Sequence, residues 1–338
     1  MRPTEAKEAI HVLLKSNTPG FFWGGPGVGK SRIAEQLAAE MDKQYMDVRV
    51  LLHDPSDFKF PIPDLKERVV HWVQSIFPRD PEWNGIVVLE EVDKAPPLVQ
   101  SVLLGLTLER RLGNYTLPER AYILATANRL EDRAGGHRMI TPLLSRFVHI
   151  DLDVSHEDWM GWAVANNIAI EVRSYLNYRP EKLYEFDPNS GERAFPCPRT
   201  WEFASKILPD TPGHLLMGLM SGTVGKGAAA EFTGFLKIYR DLPPLDPILN
   251  DGAHATVPTE PAVLYALSGA VSERMRNATE RQMNNLMIYA LRLPDEFSIL
   301  MVLDSAAANQ QVIDVKEAAP WMKRHRNVLW RKQEKQSA

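Results

Sequence analysis

Cys197 is the chain's only cysteine. It excludes an internal disulfide and a cysteine-rich zinc site, and it agrees with a reducing compartment, so the cytoplasm is the expected location. Long apolar runs are missing as well. No stretch approaches the roughly 20 uninterrupted apolar residues needed to span a bilayer, so no membrane association is expected. The opening MRPTEAKEAIHVLLKSN breaks its apolar residues with Lys7, Glu8, His11 and Lys15. It therefore reads as an amphipathic helix and not as a signal-peptide core. Positive charge is not in surplus either: the formal net charge is −4, so a nucleic-acid partner would need a local basic patch. One candidate patch exists, KRHRNVLWRKQEK at 323–335, with Lys323, Arg324, Arg326, Arg331, Lys332 and Lys335 around Trp330. A solvated helix end and a docking or nucleic-acid contact are both open there. Histidine or cysteine clusters with metal-ligand spacing are absent, as is a nucleophile-elbow serine.

What is present is a change of rhythm. At 338 residues and 44% hydrophobic content the chain is long enough for about two domains with real cores. Up to residue 150, short apolar runs alternate with helical patterns, as in a parallel sheet covered by helices. The expected strands are 20–24, 44–52, 85–90, 121–127 and 147–153. Beyond residue 155 the apolar residues recur at three-and-four spacing, so the second half reads as helical. A boundary near 153–156 follows, giving an αβα domain over 1–154 and helices over 155–338. The proline-rich segment 243–261 lacks a helical period and is expected to be a long loop. SGTVGKGAA at 221–229 imitates a phosphate loop, but Met220 and Gly227 stand where the pattern needs glycine and a hydroxyl, so it reads as a helix–helix turn.

The stretch GFFWGGPGVGKSRIAEQL at 20–37 carries the strongest signal. Gly24, Gly29, Lys30 and Ser31 satisfy G-x-x-x-x-G-K-[ST], with an apolar strand before and an amphipathic helix after. Such a loop, Gly24, Gly25, Pro26, Gly27, Val28 and Gly29, turns successive backbone N–H groups around polyphosphate oxygens. Lys30 then neutralises the β/γ oxygens, and the Ser31 hydroxyl can ligate magnesium at the helix start. ATP with Mg²⁺ is the expected ligand. Hydrolysis also needs carboxylates at the end of a buried strand. IVVLEEVDK at 86–94 supplies Glu90 and Glu91, with Asp93 two residues further on.

The segment VVLEEVDKAPPLVQSVLLGLTLERRLGNYTLPERAYILATAN resembles the core of the MoxR-like and dynein-related AAA+ ATPases, and the similarity runs in motif order over about 18–205. The resemblance implies a five-stranded nucleotide domain, an all-helical lid, and a homo-oligomeric ring, usually of six subunits, with ATP at each subunit boundary. Glu91 matches the family's catalytic glutamate. Glu90 stands in place of the usual magnesium-site aspartate, a departure that moves the carboxylate by one methylene and keeps its charge. Asn128 matches the sensor of the attacking water and γ-phosphate, with a strand-end turn as the plainer reading. Arg146 matches the arginine offered to the neighbouring subunit's site, with a surface ion pair as the alternative. Arg199 matches the lid arginine that meets the γ-phosphate, against simple helix-start packing.

Two family insertions have counterparts here. The stretch 109–119 carries a hairpin signal at Gly113 and Asn114, and 54–64 follows the second strand, where relatives place a channel-facing loop. Phe58, Lys59 and Phe60 there either grip a substrate or strap the core. The family often works on a partner containing a von Willebrand factor A domain, so a client of that kind is expected. A weakly hydrolysing, nucleotide-gated scaffold is the alternative suggested by Glu90, and a DNA-acting loader the one suggested by the basic tail.

Overall fold

The computed structural model describes residues 1–132 and 139–326. Contacts divide the chain into two compact units: Met1–Trp159 with Phe186–Gly191 and Cys197–Arg199, and Met160–Glu185 with Glu192–Pro196 and Thr200–Ala338.

The first unit is built on a five-stranded parallel sheet in the spatial order Gln44–Arg49, Gly85–Glu90, Tyr122–Ala127, Gly20–Trp23, Val148–Asp151. Its central strands GIVVLE and YILATA are buried at every position. That explains their unbroken apolar runs, since a parallel strand covered on both faces has no polar side to alternate with. The outer strands QYMDVR and VHID carry the charge, as befits edges that meet solvent. Register aligns Trp23 with Ala127 and with Asp151, and Leu89 with Ala125. All the strands therefore end on one side, where parallel sheets bind ligands. The amphipathic helix expected at the amino end spans Pro3–Lys15 and buries Ala6 and Ile10.

Two hairpins extend from this unit. Phe60–Asp64 pairs with Val69–Val73, and Arg111–Leu112 with Tyr115–Thr116 around the turn at Gly113 and Asn114. In the 54–64 segment the two readings divide by residue. Phe58 lies in the core, fully buried between His53 and Phe77, so it is a strap and not a grip. Phe60 remains 55% exposed.

In the second unit, helices Ile170–Tyr178, Gly213–Val224, Lys226–Arg240, Pro261–Arg274, Glu280–Ala290 and Asp295–Ala308 follow the expected helical period. Gly225 separates two of them, in keeping with a helix–helix turn at 221–229. The expected loop at 243–261 needs correction. It contains a short helix, Asp246–Asn250, that buries Ile248 and Leu249 in the core. Arg292 Nη1 donates to the carbonyls of Gly252 (2.8 Å) and Ala255 (2.6 Å), and Tyr289 Oη donates to that of Thr256 (3.0 Å). One helical turn is too short to show a period, and Pro247 in that first turn suits a helix start that composition alone reads as a break.

Residues 318–326 are helical, and Arg324 there pairs with Asp295 at 2.5 Å. Trp330, Arg331, Lys332 and Lys335 of the basic stretch lie outside the described residues. No described helix is long and apolar enough to cross a membrane.

Candidate nucleotide site

From Trp23 the chain passes through the loop 24–29 into helix Lys30–Glu40. Gly27 and Gly29 adopt φ values of +77° and +97°, left-handed backbone that costs an ordinary side chain roughly 1–2 kcal/mol. Gly27 has a second reason to lack a side chain. A Cβ there would stand 2.4 Å from Cys197 Sγ and 3.9 Å from Arg199 Cβ. Cys197 is buried and packs its thiol onto this bare backbone, which agrees with a structural role for it. Gly27→Val should therefore displace both the loop and the 197–199 segment. Strain of about 1–3 kcal/mol transmitted to the ligand corresponds to about tenfold or more in affinity for a fluorescent ATP analogue. An unchanged dissociation constant would contradict this account of the loop.

Lys30 folds back over its own loop. Its Nζ donates to the carbonyls of Gly24 (2.7 Å) and Gly25 (3.0 Å) and to Asn128 Oδ1 (2.9 Å). Burial brings its pKa down to about 8, against the pull of Asp93 and Asp132, while the nearby Arg199 and Lys94 lower it further. The ammonium group thus holds three neutral oxygens that a phosphate could replace with charge-assisted bonds.

The acidic strand end is the other wall. Glu90 is 7% exposed, hydrogen bonds with the Ser31 hydroxyl, and leaves Oε1 buried with no partner among the described residues. Burial raises its pKa, opposed by the Ser31 bond. Glu91 takes left-handed backbone, φ 55° and ψ 40°, and its Oε1 accepts from Lys94 Nζ at 2.8 Å. A β-carbon in that region is strained, and such strain gathers at functional positions.

Asp93 was assigned no role from sequence, yet it is the most buried of the three acids at 4% exposure. Its carboxylate accepts the Asn128 backbone N–H, and its Oδ1 has no partner among the described residues. Burial raises its pKa, and the cations Lys94 and Lys30 counteract this. Asp93 and Lys30 thus both meet Asn128, one at its backbone N–H and the other at its side-chain oxygen. The signal available in the sequence was only its spacing from Glu91, which does not reveal which way a carboxylate turns after a left-handed residue.

The fold thus gathers the loop 24–29, Lys30, Ser31, Glu90, Asp93, Asn128 and Arg199. Glu91 lies at the same strand end, turned to Lys94. Arg146 makes no bond to that set among the described residues: its Nη1 donates to the Pro142 carbonyl of helix Thr141–Leu144, and its Nε is buried without a partner among the described residues.

A parallel sheet in this order, with a glycine loop at one strand end, a lysine over the loop and acids beside it, defines a P-loop nucleotide-binding domain. Residues 20–147 match the AAA domain (dynein-related subfamily), and this segment is an AAA-type ATPase domain of that subfamily. No curated protein matches the chain. Similar solved structures include NtrX from Brucella abortus in complex with ADP, at 13% identity and TM-score 0.40, covering 95% of this chain and 67% of that one. A RuvB mutant from Thermotoga maritima is 13% identical with TM-score 0.39, covering 83% of this chain and 87% of the other.

Proposed function

We propose that the chain is a MoxR-like AAA+ ATPase of the cytoplasm that assembles into a ring of six and couples Mg-ATP hydrolysis to remodelling of a client protein, one bearing a von Willebrand factor A domain. The observation that carries this reading is the convergence of Lys30, Ser31, Glu90, Asn128 and Arg199 at one end of the sheet, around the glycine loop 24–29.

The donor set suits magnesium, a hard cation that prefers oxygen ligands. Ser31 offers a hydroxyl, and Glu90 offers a buried carboxylate oxygen with no partner among the described residues. Magnesium bound there would neutralise phosphate charge. The chain's own residues do the rest. The 24–29 backbone and Lys30 bind the phosphates, Asn128 and Glu91 orient the attacking water, and Arg199 meets the γ-phosphate beside Gly27. Arg146, which has no bond to these residues among the described ones, serves the adjoining subunit.

Steady-state ADP release by the wild type, abolished in Lys30→Ala, tests this reading; a wild type that binds ATP without turnover overturns it. The second reading, a nucleotide-gated scaffold, is favoured by Glu90 standing where the family has aspartate, since the extra methylene moves the carboxylate that would hold the cation. Glu90→Asp separates the two. A motor should change its turnover less than about threefold, whereas a gain of about tenfold or more would indicate an attenuated site.

A further inference from the structure

One hydrogen-bonded chain joins the strand that enters the glycine loop to the segment that carries Arg146. Trp23 Nε1–H donates to His149 Nδ1 at 2.8 Å, and His149 Nε2 lies 2.9 Å from the carbonyl of Leu144. An indole nitrogen only donates and a carbonyl only accepts, so His149 must be the neutral Nε2–H tautomer with both nitrogens committed. Rings hold this arrangement in place. Trp23 stacks on Phe21 at 4.5 Å and 14°, and Phe147 meets Phe21 edge-on at 5.2 Å.

The two ends of the chain matter for what they adjoin. Trp23 immediately precedes Gly24, whose carbonyl is held by Lys30. Leu144 closes helix Thr141–Leu144, and Arg146 follows two residues later with its guanidinium bonded back to Pro142. A four-residue helix has no stability of its own. Its position comes from tertiary anchors: Leu143 in the core, the Ile140 N–H donated to Gln100 Oε1 at 3.0 Å, and His149 at its far end.

We infer that Trp23 and His149 are positioning residues for Arg146, so that the strand leading into a subunit's own nucleotide loop sets the arginine it offers to its neighbour. This rests on the reading that Arg146 acts across the subunit boundary. Nucleotide entering one site acts on Gly24 and Lys30, and the change reaches Trp23, His149, Leu144 and finally Arg146. The two sites are coupled through two side-chain hydrogen bonds at the edge of the sheet.

The test uses assembled full-length protein. His149→Phe keeps a ring of similar bulk and removes both hydrogen bonds. Its affinity for a fluorescent ATP analogue should stay within about twofold of wild type, while kcat falls about 10- to 100-fold, as a misplacement of about 1 Å can cause. His149→Gln restores an N–H toward Leu144 and should recover most of that loss. The deciding measurement is subunit mixing. Glu91→Gln subunits should bind ATP without turning it over and keep Lys30, Trp23, His149 and Arg146 intact, so added in excess they should restore turnover in His149→Phe sites, as they should in Arg146→Ala sites.

Rescue of both supports the relay. If Arg146→Ala is rescued and His149→Phe is not, the relay is wrong and the trans arginine stands. If neither is rescued, the trans reading fails and takes the relay with it. Wild-type turnover in homomeric His149→Phe also overturns the relay. Should His149→Phe not fold, Trp23→Phe, which loses only the N–H and keeps the ring on Phe21, is judged by the same outcomes.

Discussion

Glu91→Gln should bind ATP as the wild type does and hydrolyse it at least about 10²-fold more slowly, approaching 10⁴-fold, the usual worth of a positioned acid–base group. That loss is about 3–5 kcal/mol of barrier. The amide keeps the size and the planar end of the side chain but can no longer take a proton or polarise water. Folding should be little affected. The carboxylate's ion pair to Lys94 is between partly exposed groups, and such pairs contribute at most about 1 kcal/mol. The strained backbone at φ 55° is unaltered by the change. Equilibrium binding of a fluorescent ATP analogue together with phosphate release tests both halves. Turnover near the wild-type rate would remove Glu91 from the mechanism and leave its left-handed backbone without a function.

Arg146→Ala should reduce turnover by about 10³-fold or more, within the 10³- to 10⁵-fold range for an arginine that offsets transition-state charge. The physical argument is one of placement. Arg146 has no bond to Lys30, Ser31, Glu90 or Asn128 among the described residues, and its guanidinium is tied to the Pro142 carbonyl. On the proposed reading, a cation so tied acts on the neighbouring subunit's nucleotide and not on its own. Wild-type turnover per subunit should accordingly rise with protein concentration and then level off as rings fill, whereas Arg146→Ala should remain low throughout. A concentration-independent wild type, or an Arg146→Ala variant of full activity, would rule this arrangement out.

Much of this was legible in the chain because the deciding interactions are local. Gly24 through Ser31 form a phosphate loop from eight consecutive residues, and the left-handed backbone at Gly27 and Gly29 is a requirement only glycine meets without strain. The buried strands announce themselves by apolar runs, since both faces are covered. The helical half follows from a three-and-four period that each segment carries within itself.

Other features were written in residues far apart. Lys30 meets Asn128 across 98 positions and Trp23 meets His149 across 126. Neither pairing has a spacing to read, and His149 on an exposed edge strand resembles any polar edge residue. Asp93 looked like one more acid after a strand until burial and the Asn128 N–H gave it a direction. Phe58 and the 246–250 turn were misread or left open for the same reason: a proline-rich stretch shows its composition, not the core that packs against it.

Taken alone, the sequence determined the backbone conformations and the period of burial, and with them the sheet, the glycine loop and the kind of ligand it suits. Tertiary structure alone decided that Glu90 meets the Ser31 hydroxyl while Glu91 meets Lys94, what lowers the pKa of Lys30, and that the Arg146 guanidinium is tied to Pro142. Conformational preference is set by a residue and its near neighbours, whereas solvation, charge and hydrogen-bond partners are set by whatever the fold brings alongside.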